Sequence, residues 1–311
     1  MNRRPWVLVA VACLGAGCAG KQHLSADQYF NSATDNFRRG ALVLSIEEYH
    51  ELLDQYPFSQ YNEEAELKIA HAQYLNGNNA EAIVALTDFQ RRHPTSPNLP
   101  FVGYSLGMCY VQQMGTIDRD QTAALSAQSY FATVSQQYPD SPYAELAREE
   151  LARCRENLAE HEMYIANFYN RRGRAKAAEI RLLTMAARYG ETDAAANGLL
   201  ELARMYRRQK NPEQAALAYQ ALKQLHPRGP QADAAQRGLT RLASAEELPT
   251  GADPLDQLLA ANGRQRSAST FETVQVPGLE PARTARRPSG GAAPGFVPTA
   301  DPFGRGRGGL Y

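Results

Sequence analysis

The sequence predicts an all-α chain: a solenoid of about five helix hairpins followed by a disordered C-terminal tail. Three observations predict this. From Ile69 to Pro94, apolar residues recur at helical spacing on both sides of an Asn76-Gly77-Asn78 break and stop at a proline, the pattern of two amphipathic helices joined by a tight turn. The same register recurs along the chain. After about Leu242 the helical period gives way to Pro, Gly, Ser, Ala and Arg, a composition that cannot bury enough apolar surface to offset ordering entropy.

The register is set by small residues. Ala70 precedes Ala82 by twelve positions, and the same step separates Ala33 from Ser45, Ala166 from Ala178 and Ala203 from Ala215. A large apolar residue follows four positions on (Tyr49, Leu86, Leu182, Tyr219), and a Pro or Gly eight beyond that (Pro57, Pro94, Gly190, Pro227). A further copy places Gly107 and Tyr110 before Ala127, Phe131 and Pro139, with its turn lengthened across Gln113 to Gln121. This register resembles the tetratricopeptide repeat of about 34 residues, whose stacked hairpins bury a continuous core and form a right-handed solenoid. The expected organisation is a signal segment over 1–17, an anchor and short tether over 18–24, N-terminal repeats over 25–139, C-terminal repeats over 140–242 and a tail over 243–311.

Start signals mark individual helices. Ser25-Ala26-Asp27-Gln28 has the spacing of a capping box, while Ser141-Pro142 and Asn211-Pro212 each place a cap residue before a proline at the first helical position. No clear breaker interrupts Pro142 to Asn170, so one long helix, or two nearly continuous ones, links the third and fourth hairpins. Within the tail, Asp253 to Asn262 carries Leu255, Leu258 and Leu259. It is read as a transient turn or two, too short for stability alone, or as a docking motif.

The whole chain has 33 Lys and Arg against 33 Asp and Glu, so no basic excess steers it toward nucleic acid. The tract Gly304-Arg305-Gly306-Arg307-Gly308-Gly309 is accordingly read as flexible. Arg3 and Arg4, an apolar stretch from Trp6 to Leu14, and Gly15-Ala16-Gly17 before Cys18 read as an export signal. The small residues ahead of Cys18 resemble the lipobox of bacterial lipoproteins, although Gly15 stands where that motif usually has Leu. The resemblance implies acylation (palmitate among the chains) and lipid anchoring at Cys18; Ala19, rather than Asp, implies the outer membrane. No retained apolar run is long enough to span a bilayer.

No catalytic signature is present: there is no phosphate loop, zincin helix or Gly-x-Ser-x-Gly turn, and the histidines lack ligand partners at metal spacing. No catalytic residue, metal site or cofactor is assigned. Cys109 and Cys154 fall in helices of neighbouring hairpins and are read as buried thiols, with a disulfide as the alternative.

Five stretches carry a closer resemblance. Tyr56-Pro57-Phe58-Ser59-Gln60-Tyr61, His93-Pro94-Thr95-Ser96-Pro97-Asn98, Asp118-Arg119-Asp120, Tyr138-Pro139-Asp140-Ser141, and Ala166-Asn167-Phe168-Tyr169-Asn170-Arg171-Arg172-Gly173 occur in that order between Ser25 and Pro227. Together they resemble the BamD family, lipoproteins of the bacterial outer-membrane β-barrel assembly machine. The turn at Gln113 to Ile117 is shorter than in enteric members, and the tail has no counterpart in a typical one.

The resemblance implies a non-enzymatic scaffold on the periplasmic face of the outer membrane. Its C-terminal repeats would dock on a POTRA domain of a BamA-type barrel protein, beside other assembly lipoproteins. Its N-terminal repeats would receive unfolded outer-membrane proteins. Arg181, eight residues beyond Gly173, occupies the position of the family's docking arginine, with Arg172 and Gly173 nearby. Repeat register places Phe30, Phe37, Leu67, His71 and Tyr74 along an inner groove as candidates for a substrate strand, or as packing between repeats. The alternative function is a repeat lipoprotein of cell division or envelope scaffolding, similar to the Tol-Pal coordinator; that group generally carries an N-terminal coiled coil, and no heptad stretch follows Cys18. A peptidoglycan-acting enzyme would need a catalytic domain, for which only the tail is left.

Overall fold

The computed structural model describes residues 24–243 and 253–266; Cys18, its signal segment and the Gly-Arg tract lie outside them. Among the described residues every regular element is an α-helix, as the periodicity requires. The chain divides into two compact units, Met1–Asn76 and Gly77–Tyr311.

The first unit holds α1 (Ala26–Arg38), α2 (Leu42–Gln55) and α3 (Asn62–Leu75). Ser25 caps α1 reciprocally: its hydroxyl accepts from the Gln28 N–H at 3.3 Å while Gln28 Oε1 accepts from the Ser25 N–H at 2.8 Å. Ala33 and Ser45, both fully buried, let α1 and α2 approach, and Tyr49 fills the crossing. The Tyr49 hydroxyl shares a 2.8 Å hydrogen bond with Thr34, and burial raises its pKa. Tyr56 donates its hydroxyl to the Leu24 carbonyl at 2.7 Å and Tyr61 donates to the Asp27 carboxylate, so the connection after α2 is tied to the entry of α1.

The second unit begins with α4 (Asn79–Arg92), α5 (Leu99–Gln112), α6 (Thr122–Gln137) and α7 (Pro142–Arg171). It continues through α8 (Ala175–Tyr189), α9 (Asp193–Arg208), α10 (Pro212–Leu225), α11 (Pro230–Ala243) and α12 (Pro254–Ala261). From α4 to α11 each helix packs on the next, while α5 packs on α7, α7 on α9 and α9 on α11. Contact with the next helix and the next but one is the arrangement of stacked hairpins. The register residues Ala166, Ala178, Ala203, Ala215, Leu182 and Tyr219 are all buried. Gly107 meets Phe131 so closely that a Cβ there would lie 2.5 Å from the ring.

The predicted starts are observed. Ser141 accepts from the Tyr143 N–H and Asn211 from the Gln214 N–H, each at 3.2 Å. The unbroken stretch after Pro142 forms one helix of 30 residues. The long turn between α5 and α6 is organised by buried Gln121, whose amide donates to the Thr116 and Arg119 carbonyls at 3.1 and 2.9 Å.

Within the segment expected as a tail over 243–311, residues 253–266 are described and hold a packed helix. The hairpin series is extended by α11, and the segment read as a transient turn is the helix α12, packed on α10 and α8. Leu255, Leu258 and Leu259 are 2%, 0% and 0% exposed. Length alone would not hold eight residues helical. Tertiary burial does, together with the Asp253 side chain, which accepts from the Leu255 and Asp256 N–H groups. Asn262 then donates to the Tyr206 hydroxyl at 3.2 Å, and that hydroxyl donates to the buried Glu179 carboxylate at 3.1 Å. Residues 244–252 and 267–311 lie outside the described structure.

Two substitutions test this packing. Leu258→Ala is expected to lower unfolding free energy by about 2–5 kcal/mol, read from urea denaturation. Gly238→Ala, whose Cβ would lie 2.4 Å from the Tyr219 ring, is expected to lower the same midpoint through overpacking at the joint of α10 and α11.

Candidate functional site

The predicted groove residues all lie in the first unit and divide by burial. Leu67, His71 and Tyr74 are 0%, 8% and 6% exposed, the burial expected of packing residues, which is the other reading of their register. The physical reason lies in α3: seven of its fourteen residues are buried, on more than one face, so register alone does not mark a solvent-facing side. Phe30 and Phe37 remain half-buried. The Phe30 ring stacks on Tyr61 at 4.5 Å between centroids and lies 5.9 Å from Tyr49. Phe37 meets the His71 ring at 5.3 Å, with the Lys68 ammonium also 5.3 Å from its centroid. Burial lowers the pKa of that ammonium.

The predicted docking residues lie in the second unit. Exposed Arg172 stands at the C-terminal end of α7, its guanidinium 4.1 Å from the centroid of the Phe168 ring. Gly173 follows in the left-handed region at φ 70°, which is what the turn into α8 requires. Arg181 lies in α8 and pairs with Glu162 of α7 at 3.3 Å; its side chain is 40% exposed and that of Glu162 13%. Arg181 lines an open cleft of 380 Å³ with Glu162, Thr184, Arg188, Arg264 and Gln265. Arg172 does not line it.

Sequence reasoning missed most of this cleft. Arg188 was readable, since it lies seven residues after Arg181 and returns to the same helix face. Glu162 and Arg264 were not, because one depends on how α7 packs on α8 and the other on the docking of α12. Arg264 donates Nη1 to the Thr184 hydroxyl at 2.7 Å, and that hydroxyl donates to the Ile180 carbonyl at 2.9 Å.

Cys109 and Cys154 are unbonded and buried, and desolvation pushes both thiols up to about 12. Among the described residues no group of three or more His, Cys, Asp and Glu is placed to hold a metal ion, and no helix is long and apolar enough to cross a membrane.

Comparison with known proteins decides the family. The YfiO family model, described as "Outer membrane lipoprotein", matches residues 22–216. The chain belongs to that family. Among named relatives, the outer membrane protein assembly factor BamD of Caulobacter vibrioides is 28% identical over 214 residues, spanning 65% of this chain and 70% of that one. The BamD of Xylella fastidiosa strain Temecula1 is 27% identical over 269 residues, spanning 79% and 92%. Among solved structures, the TPR2AB-domain:pHSP90-complex of yeast Sti1 is similar at 16% identity and a TM-score of 0.35, covering 77% of this chain and 98% of that one. The YfiO match ends inside α10, so α11 and α12 lie beyond it.

Two measurements follow from this geometry. Cys109 and Cys154 are expected to resist maleimide at pH 7 and still at pH 9, because the neutral thiol persists up to about pH 12, and to label fully in denaturant; mass spectrometry counts the adducts. Phe30→Ala is expected to cost about 1–2 kcal/mol by urea unfolding, below the loss of about 3–5 kcal/mol for a fully buried ring.

Proposed function

We propose that this chain is a non-enzymatic lipoprotein scaffold of the outer-membrane β-barrel assembly machine. It is held by acylated Cys18 to the periplasmic face of the outer membrane, with other assembly lipoproteins as neighbours. The observation that carries this reading is the YfiO match over 22–216, together with relatives named outer membrane protein assembly factors. Stacked hairpins support it physically, because they present extended surfaces without needing a catalytic pocket.

In this reading the second unit docks on a POTRA domain of a BamA-type barrel protein through the α8 face that carries Arg181. An arginine suits such an interface, because its fork of five N–H donors binds a carboxylate while part of it stays paired to Glu162. Phe30 and Phe37 are the residues of the first unit left to meet an unfolded outer-membrane protein, with Leu67, His71 and Tyr74 packed behind the surface.

A detergent pulldown of the tagged, lipidated protein from its own membranes, read by mass spectrometry, tests the assignment. Wild type is expected to recover a BamA-type barrel protein and Arg181→Glu to lose it. Tol-Pal or division proteins in place of a barrel subunit would overturn the assembly role.

A further inference from the structure

We propose that Arg264 and Arg181 together form a seat for one carboxylate side chain of the docking partner, in the cleft between α7, α8 and the residues after α12. This rests on the docking reading above and adds a contact from outside both the repeats and the matched family region.

Charge is the first argument. Two guanidinium groups, Arg181 and Arg264, line the cleft together with the carboxylate of Glu162, and Arg188 lies beside them. Arg181 meets Glu162 through one terminal nitrogen at 3.3 Å, leaving further N–H donors for a second acceptor. Arg264 is oriented without being neutralised. The Thr184 hydroxyl spends its one proton on the Ile180 carbonyl and so accepts from Arg264, a neutral partner that fixes the fork and leaves its charge available.

Rigidity is the second argument. Arg264 lies just past the turn at Asn262 and Gly263 that ends α12, and its own N–H donates to the Leu259 carbonyl at 2.8 Å. Leu258 and Leu259 are completely buried, and Asn262 is bonded to Tyr206. A guanidinium placed by a packed helix loses little freedom when it binds, which favours a specific contact over diffuse attraction. The ligand follows from the same inventory. A planar carboxylate matches the bidentate fork of a guanidinium, and it is the anion that the side chains of a docking protein present. The open 380 Å³ volume admits an Asp or Glu side chain presented by a partner surface.

Two experiments on the full-length, lipidated protein in detergent test this. In the first, arginine Nε resonances are followed by NMR while N-acetylglutamate amide, and separately inorganic phosphate, is added. Arg181 and Arg264 are expected to shift together with the carboxylate probe, and Arg264→Gln to abolish the Arg181 shift or weaken it about ten-fold. Absence of a shift in either arginine overturns the proposal whatever the pulldown gives, and a response to phosphate alone overturns the carboxylate assignment.

In the second, capture of the barrel subunit is compared for wild type, Arg264→Gln, Arg264→Lys and Arg181→Gln. Arg264→Gln is expected to cut capture about ten-fold, Arg264→Lys to restore part of it, and the double variant to fall no further than Arg181→Gln alone. Full capture by Arg264→Gln with loss in Arg181→Gln overturns the joint seat and leaves the docking reading standing. Failure of wild type to capture a barrel subunit, with the NMR shifts present, removes that reading and the assignment of the seat to this partner.

Discussion

The close approach of paired helices at small residues is the constraint on which this chain depends. Where Ala33 faces Ser45, or Ala203 precedes Ala215 by the same step, neither helix has bulk at the crossing, and one large side chain four positions on fills the space beside it. Side chains that are fully buried in this way, such as Tyr49 and Phe131, gain dispersion contacts on every side and fix the register of the hairpin. Gly107 and Gly238 take the same logic to its limit, since even a methyl group would collide with the aromatic ring opposite. Stability is thereby spread along the chain as a series of local joints.

That distribution explains what was legible in the sequence. The small-large step, the caps at Ser25, Ser141 and Asn211, and the unbroken run after Pro142 are local signals, and the elements they mark are all present. The helix α12 reads as transient when its eight residues are weighed by themselves. Its three leucines are stabilised by α8 and α10, elements distant in the sequence, and no local rule registers such a partner. The same limitation governs the aromatic groove. Register places Leu67, His71 and Tyr74 on helix faces correctly as periodic positions, but burial is a property of what packs on those faces.

The two candidate surfaces differ in what their side chains already do. Phe30 and Phe37 are engaged with Tyr61 and His71, so a ligand reaching them competes with, or adds to, an existing aromatic stack. The cleft beside Arg181 instead holds cationic groups with donors to spare, Arg181 meeting Glu162 through one nitrogen and Arg264 resting on the neutral Thr184 hydroxyl. Affinity at the first would come from displaced apolar contact area and would tolerate salt. At the second it would come from charge-assisted hydrogen bonds, exposed enough to be screened.

The reach of Arg264 back to Thr184 spans 80 residues, whereas the hairpins are closed by neighbours in the chain. Short-range contacts form early and long-range ones wait for loop closure, so the hairpins can assemble before the wall supplied by α12 is in place. A chain cut short before Asp253 would keep its repeats and lack that wall. The cleft therefore reports the docking of α12: a binding partner that requires Arg264 would pass over molecules in which that helix is missing or undocked and select those in which it is packed.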